Sequence, residues 1–174
     1  MNRCDPYTNI QKKRAGAVRP LCHVLEMRAA EPQQVEMRER VFSSALAGMR
    51  GATVVEVGCG TGAVLRSIAS RPEVSRVIGF DPCATFIEEA EALSRGMPNC
   101  EWHVAPGSEL PTGDASADLL IIWTVLIHVP RADRLPILAE ARRVVRPGGR
   151  IVIADNDVAG WSCASGAHDP LSVA

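Results

Sequence analysis

The chain has 174 residues, the size of one domain, and a chain of this length buries enough surface to fold without disulfides or a structural metal. Nineteen basic residues nearly balance twenty acidic ones, so the formal charge of −1 gives no general attraction to nucleic acid or to an anionic membrane. A hydrophobic content of 47% with 22% charged residues excludes a disordered chain.

The six cysteines are scattered, without a CxxC motif or a cluster of Cys and His at metal-ligand spacing. We therefore predict reduced thiols and no metal site. The first residues contain no apolar signal segment, and no apolar run approaches the ~20 residues that span a bilayer. These features predict a cytoplasmic protein.

Two amphipathic helices are predicted before the first strand. The first carries apolar residues at i, i+3, i+4 and i+7, namely Val18, Leu21, Cys22 and Leu25. Pro20 suits the first turn of that helix, and a second helix is predicted over residues 33–49. We assign residues 1–50 to a helical lid segment and residues 51–174 to the core of what is a single domain overall.

From residue 52, apolar runs of strand length alternate with helical stretches. Strands are predicted at 52–57, 76–80, 101–104, 118–123 and 150–154. Helices are predicted at 63–70, 85–94 and 133–145, and Pro147 with Gly148 and Gly149 is expected to stop the last one. Because the strands are continuously apolar, both faces of the sheet are expected to be buried, which predicts a doubly wound, mostly parallel α/β sheet.

The turn after the first strand is the most informative segment. A buried strand runs into Gly58, Gly60 and Gly62 and then into a helix. Ligands of open α/β sheets bind beyond the carboxyl ends of the strands, where glycines let the backbone approach and a helix N-terminus offers free N–H groups. Glu56 precedes the turn, and Asp81 ends the second strand, where an acid can accept both hydroxyls of a ribose.

Dinucleotide-dependent enzymes and methyltransferases both use such an acid. A pyrophosphate favours a bare helix N-terminus, whereas the amino group of a methionine moiety favours a nearby acid such as Glu56. A nicotinamide-dependent dehydrogenase is disfavoured because Ala63 follows Gly62 where the dinucleotide spacing places a third glycine, although alanine can replace it.

Four segments occur in a specific order: EVGCGTG at 56–62, GFDP at 79–82, WTVLIHV at 123–129 and RPGG at 146–149. In these segments the chain resembles the class I S-adenosylmethionine-dependent methyltransferases, most closely the small-molecule methyltransferases of the ubiquinone-biosynthesis type. The resemblance covers residues 33–155. It implies S-adenosylmethionine as the cofactor and a small molecule as the methyl acceptor.

The resemblance also implies which residues bind the cofactor: Glu56, Gly58, Cys59, Gly60, Thr61, Gly62, Asp81, Pro82, Gly107, Ser108 and Trp123. His128, after the fourth strand, is the candidate catalytic base for an acceptor hydroxyl or amine, with a packing or capping histidine as the alternative. Trp123 has core packing as its alternative role. Tyr7 and Arg28, in the lid segment, are candidates to reach the cofactor or the acceptor.

Two departures from the family pattern affect these expectations. Residues 105–111 read APGSELP, without the acid that usually binds the adenine amino group, so backbone, Ser108 or Glu109 must contact the adenine. From Asp155 to the end only 20 residues remain, fewer than the roughly 30 that a further helix and strand pair need. The sixth and seventh strands are therefore expected to be missing.

An open edge at the fifth strand would invite pairing with another chain, so we predict a homodimer through that edge. The same short tail leaves a second hypothesis open. In it the chain is a module that binds S-adenosylmethionine or a partner without turnover.

Overall fold

The predicted strands and the helices between them are present in the computed structural model, which describes residue 7 and residues 9–155. The elements in chain order are a 3-10 helix at Ile10–Lys12, α1 at Ala15–Ala30, α2 at Pro32–Ala45, β1 at Ala52–Val57, α3 at Ala63–Ile68, β2 at Val74–Asp81, α4 at Ala84–Leu93, β3 at Cys100–Val104, β4 at Ala117–Trp123, a 3-10 helix at Leu126–His128, α5 at Arg131–Val144 and β5 at Val145–Ala154.

The strands form one sheet in the order β3-β2-β1-β4-β5, and every neighbouring pair is parallel. The chain starts in the middle with β1, builds outward to β3, and then crosses to β4 on the other side of β1. The connections therefore reverse direction between β1 and β4, which is where open α/β sheets leave a crevice for ligands. The predicted parallel α/β sheet is confirmed.

Helices cover both faces of this sheet. Phe42 of α2 and Leu65 of α3 pack with Val54 of β1 on one face, while Ile137 and Ala141 of α5 belong to the core cluster of the other face. The central strands are fully buried, as their continuous apolar runs predict. The apolar sequence of the strands thus specifies the double winding.

Several ends differ from the predictions. The first helix begins at Ala15, so Pro20 lies inside it rather than in its first turn. The second helix ends at Ala45 instead of residue 49. β2 is longer than predicted because ladder pairing extends it: Val74 pairs with Ala52 of β1, and its last residue pairs with β3.

The prediction that Pro147 and the two following glycines stop the last helix was wrong. α5 ends at Val144, and Val145 already has extended backbone and starts β5. The segment Arg146–Gly149 instead forms an irregularity in β5: Ala117 pairs with Val145, but Leu119 pairs with Arg150. Gly148, with φ +79°, supplies the left-handed residue that this bulge needs.

β5 is the edge of the sheet within the described residues, and its Ile151 and Ile153 are 42% and 49% exposed. Residues 156–174, which bear on the expected absence of further strands, lie outside the part of the chain that the structure describes. None of the helices in the described part is long and apolar enough to cross a bilayer.

Candidate active site

The glycine turn is fixed against the neighbouring strand by its backbone. The N–H groups of Gly58 and Cys59 both donate to the carbonyl of Phe80 in β2, at 2.7 and 3.1 Å. Gly58, Gly60 and Gly62 all have left-handed backbone, with φ of +71°, +52° and +79°. Side chains other than glycine adopt this conformation at a cost, so the turn requires glycine at all three positions.

The three glycines make room for different neighbours. A methyl group at Gly58 would lie 2.5 Å from Val125 Cγ2, and one at Gly62 would lie 2.4 Å from Trp102 Cη2. At Gly60 the nearest atom is the flexible end of Leu25, at 3.1 Å. Gly58 and Gly62 thus accommodate side chains of the protein itself, whereas Gly60 meets only a flexible side-chain end.

Asp81 connects the end of β2 to this turn. The carboxylate is 6% exposed and accepts hydrogen bonds from the N–H of Gly60 at 3.0 Å and of Cys83 at 2.8 Å. Burial raises the pKa of Asp81 to about 6, against the two N–H groups, which favour the charged form. Each carboxylate oxygen keeps acceptor capacity for a further donor such as a ribose hydroxyl.

Glu56 and Arg38 form a second buried group beside the turn. Glu56 in β1 is 1% exposed, and its Oε2 has no hydrogen-bond partner among the described residues. Burial raises the pKa of Glu56 well above its usual range, the charge of Asp81 adds to the rise, and Arg38 opposes it. Arg38 of α2 is 7% exposed and donates from Nη2 to the Ala29 carbonyl, while its Nε has no partner among those residues.

Two adjoining cavities open at the carboxyl ends of the strands. The small cavity, of about 100 Å³, is lined by Glu56, Arg38 and Gln34 together with part of the glycine turn. The large cavity, of about 380 Å³, extends past Asp81 toward the loop after β3 and the turn after β4. Both cavities share the lining residues Leu25, Arg28, Gly58, Gly60, Trp123 and Thr124, which we call the junction.

The structure brings most of the predicted site residues to these cavities. The small cavity contains Glu56, Gly58, Cys59, Gly60, Thr61 and Trp123. The large cavity contains Gly58, Gly60, Asp81, Pro82, Gly107, Ser108, Trp123 and His128. Gly62 lines neither cavity and supports Trp102 instead, and Glu109 is exposed outside both.

Cys59 and Trp123 each combine a lining position with packing. Burial raises the pKa of the Cys59 thiol well above its usual value, which favours a packing role over a nucleophile. Trp123 is 6% exposed, and its ring lies 5.5 Å from that of Phe42. Core packing and cavity lining are therefore two roles of the same indole.

His128 closes the 3-10 helix after β4 and lines the large cavity. Its ring lies 4.8 Å from the ring of Tyr7, which precedes the first helix and lines the same cavity. The lid segment and the turn after β4 therefore meet at the outer wall of the large cavity.

Among the cavity residues that were missed from the sequence, two stand out, Arg38 and Thr124. Arg38 lies among other charged residues of α2, and no local pattern distinguishes it from its exposed neighbours. Thr124 has left-handed backbone with φ +54°, a strained conformation for a β-branched residue, and its N–H donates to Ala154 O at 2.7 Å. Such strain is concentrated at functional sites, but a sequence does not display it.

Comparison with known proteins finds a match to the methyltransferase-domain family over residues 54–149. An uncharacterized protein of transposon Tn4556 from Streptomyces fradiae is 38% identical over 67% of this chain and 34% of its own length. The ubiquinone/menaquinone biosynthesis C-methyltransferase UbiE of Rubrivivax gelatinosus is 32% identical over 71% of this chain and 47% of its own. The chain thus spans half the length or less of these curated relatives.

Among solved structures, a SAM-dependent methyltransferase from Aquifex aeolicus superimposes with a TM-score of 0.64. The match covers 82% of this chain and 72% of that protein at 20% identity, so it shows a common fold. The family match includes β1, the glycine turn, Asp81 and the strands up to the RPGG segment. On these grounds the chain belongs to the methyltransferase-domain family.

Proposed function

We propose that the protein binds S-adenosylmethionine and catalyses transfer of its methyl group to a small-molecule acceptor, with release of S-adenosylhomocysteine. One observation carries this proposal. Asp81, an acid at the end of β2 where a ribose can bind, accepts the Gly60 N–H beside the point where the strand connections reverse direction. The small cavity next to it contains the buried side chains of Glu56 and Arg38, each with an unsatisfied polar atom among the described residues.

The adenosine part fits the large cavity, whose volume is within the usual range for small-molecule sites. Asp81 would accept the ribose hydroxyls. Pro82, Gly107 and Ser108 would border the adenine, with the Ser108 hydroxyl available where relatives carry an acid. Removing the charge-assisted hydrogen bonds at Asp81 is therefore the most direct way to weaken binding of the adenosine part.

The methionine part fits the small cavity by charge. Its ammonium group is the natural partner for Glu56 Oε2, and its carboxylate is the natural partner for Arg38 Nε, both of which are buried without a protein partner within the described residues. Buried polar atoms almost always have a hydrogen-bond partner, and a zwitterionic ligand would supply one for each of these two atoms.

When bound, the cofactor supplies an electrophilic methyl group on a positively charged sulfur. The chain's own task is to hold two reactants in line and to exclude water. The junction between the cavities is enclosed by Leu25, Trp123 and Thr124, which supply walls on both sides. His128 can accept the proton of an acceptor hydroxyl or amine.

Calorimetric titration tests the binding step. We expect S-adenosylmethionine to bind the wild type, and Asp81→Ala to weaken binding by about 1–3 kcal/mol through lost charge-assisted hydrogen bonds. Glu91→Ala, an exposed acid of the helix α4, serves as the control and should leave affinity unchanged. Equal affinity of Asp81→Ala and wild type would contradict the proposal.

Release of S-adenosylhomocysteine across a panel of phenols, thiols, amines and carboxylic acids tests the chemical step. Product formation with at least one acceptor, abolished in Asp81→Ala, supports a methyltransferase. Tight binding of S-adenosylmethionine without product for any acceptor favours the alternative, a binding module without turnover.

Within residue 7 and residues 9–155, β5 is an edge strand of the sheet, which supports a homodimer as part of this proposal. Ile151 and Ile153 are exposed large apolar residues on one face of that edge strand. Sedimentation velocity should detect a dimer of the wild type, and Ile153→Lys should shift it to the monomer. A wild type that sediments as a monomer at all concentrations would exclude the dimer.

A further inference from the structure

Arg28 has a position that the cofactor alone does not explain. It extends from α1, is half-buried, and lines both cavities at the junction. Among residues 7 and 9–155 its guanidinium makes no hydrogen bond and no ion pair. By contrast, two other charged residues of α1 are paired. Glu26 pairs with Arg66 of α3 at 2.7 Å, and Arg19 lies 3.6 Å from Glu88 of α4.

The charges in the small cavity are balanced without Arg28. Glu56 faces the ammonium group of the methionine moiety, and the deeper arginine, Arg38, faces its carboxylate. Arg28 at the junction is then the arginine of the small cavity to which the methionine moiety assigns no partner. A guanidinium is the side chain best suited to a carboxylate, which it can bind through two parallel N–H donors.

The outer part of the large cavity combines apolar residues and the ring pair with two neutral polar residues, Asn9 and Gln11. Ile10, Val129 and Pro130 line it next to the contacting rings of Tyr7 and His128. The acid at this end, Asp133, is exposed in the first turn of α5, so solvent screens its charge. This combination fits a ligand with an apolar body and one anionic group.

We propose that the methyl acceptor is a small carboxylic acid with a ring-sized apolar body, and that Arg28 binds its carboxylate at the junction. The inference rests on the proposed function, because it assigns the space that remains when the cofactor occupies the small cavity and the Asp81 side of the large one. In the reaction, the bond from the methyl carbon to sulfur breaks with its electron pair on sulfur. A new bond forms to a nucleophilic atom of the acceptor, whose proton goes to the His128 imidazole.

The test uses the full chain saturated with S-adenosylhomocysteine and pairs of probes that differ only in charge: benzoate with benzamide, and 2-naphthoate with 2-naphthamide. Affinities are measured by ligand-observed NMR titration. For the wild type we expect at least one acid to bind about tenfold tighter than its amide, as a charge-assisted pair provides. Arg28→Gln should reduce that ratio to below about threefold.

Two further variants distinguish the roles of the arginines. Arg40→Gln, an exposed arginine of α2, is the matched control and should keep the preference for the acid. The affinity for S-adenosylhomocysteine should change little in Arg28→Gln and fall by about tenfold or more in Arg38→Gln, which removes a buried charged donor.

If acids and amides bind the wild type with equal affinity, the inference about Arg28 is overturned. The proposed function still stands in that case, provided that the wild type binds S-adenosylhomocysteine. A preference for acids that persists in Arg28→Gln also overturns it. A tenfold loss of S-adenosylhomocysteine affinity in Arg28→Gln would assign Arg28 to the cofactor instead. A wild type that does not bind S-adenosylhomocysteine overturns the proposed function and the inference together.

Discussion

At the scale of single residues, the site is defined by acids that the fold holds away from water. Asp81 and Glu56 are both buried, and burial raises the pKa of each. Burial of these two carboxylates therefore lowers the free energy of unfolding. A ligand whose hydroxyl and ammonium groups bind them would offset that cost. This arrangement is typical of binding sites, where stability is sacrificed for function.

The pKa of Asp81 predicts how cofactor affinity depends on pH. In the proposed complex, ribose hydroxyls donate to the ionised carboxylate, so protonation of the empty site would compete with binding as pH falls through about 6. We expect the dissociation constant of S-adenosylmethionine to rise as pH falls below that value, by up to about tenfold per pH unit. Titration between pH 5 and pH 8 measures this effect.

Asp81→Asn provides the comparison for that titration. It should weaken binding at pH 7.5 and flatten the dependence on pH, since an amide does not ionise in this range. An identical pH profile for the wild type and Asp81→Asn would show that another group causes the effect.

Glu56 predicts a pH dependence of folding stability. Its pKa in the folded state is raised well above 4.5, so above that pH the unfolded chain releases a proton that the folded chain retains. The free energy of unfolding contributed by Glu56 therefore falls as pH rises above 4.5, by at most about 1.4 kcal/mol per pH unit. Glu56→Gln removes this loss, so its stability relative to wild type should increase with pH.

Urea denaturation at several pH values between 4.5 and 7.5 checks the Glu56 prediction. The exposed variant Glu91→Gln is the control and should follow the wild type at every pH. A constant difference between Glu56→Gln and wild type over this range would contradict the assigned cause.

Residue chemistry could be predicted where it depends on neighbours in sequence. Gly58 and Gly60 lie in the turn after β1, and Asp81 ends β2, so their place at the crevice follows from the pattern alone. Arg38 could not be found, because it reaches Glu56 only when α2 packs beside β1. The contact of Gly62 with Trp102, 40 residues later, was also not visible from the sequence, and the contact of Gly62 with the cofactor stays a prediction.

At the scale of elements, the glycine turn depends on a strand, β3, whose residues line neither cavity. Trp102 of β3 fills the space beside Gly62 and Gly79, and its indole N–H donates to Ser94 Oγ at 2.7 Å. The turn is thereby supported from behind by a fixed ring. Its shape is set by the sheet before a ligand binds, which is the condition for low reorganisation on binding.

This support predicts different outcomes for two glycine substitutions. Gly62→Ala forces a methyl group against the indole, whereas Gly60→Ala meets only the flexible end of Leu25. Both substitutions strain a left-handed residue, so we expect Gly62→Ala to be less stable than Gly60→Ala by about 1–3 kcal/mol from overpacking. For Gly60→Ala, the loss in free energy of S-adenosylmethionine binding should exceed the loss in free energy of unfolding, because Gly60 lines both cavities.

Urea denaturation and calorimetric titration of both variants measure these two effects. The reverse order of stability would show that the indole moves aside readily. Unchanged affinity in Gly60→Ala would show that the ligand does not approach the backbone at this turn.

A second element-level contact connects the edge strand to the lid. Arg150 of β5 donates from Nη1 to the carbonyls of Ala45 at 2.6 Å and Ala47 at 3.0 Å, at the end of α2. Removing it leaves helix-terminal carbonyls to water, so Arg150→Ala should reduce the free energy of unfolding by about 1 kcal/mol. Arg142→Ala, an exposed residue of α5, is the control for urea denaturation and should cost less.

The elements themselves could be predicted well from the sequence, and their ends less well. β1 has the predicted bounds because its residues other than Thr53 and Glu56 are apolar and glycines flank it. β2 and β5 extend beyond their apolar runs because ladder pairing with a neighbouring strand resumes before an irregularity, at Val74 in β2 and at Val145 in β5. Pairing partners are distant in sequence, so the ends were not visible from local patterns.

At the scale of the whole molecule, lid and core are joined by several contacts. α1 is linked to α3 by the Arg66–Glu26 pair and to α4 by Arg19–Glu88, and Arg150 connects the sheet edge to α2. The boundary at residue 50 between lid segment and core stays a prediction. Both cavities depend on this docking, since Leu25 and Arg28 of α1 close the junction over the strand ends.

The indole behind the turn has a consequence for how such sequences can drift. Gly79 has ordinary backbone geometry, yet an added methyl there would meet Trp102 at 2.5 Å and Cys59 Sγ at 2.7 Å. Position 79 is thus tied to the size of two partners rather than to its own torsion angles. During evolution, a larger residue at position 79 becomes acceptable only after smaller residues have replaced Trp102 and Cys59. We therefore expect substitutions at these three positions to be correlated among relatives.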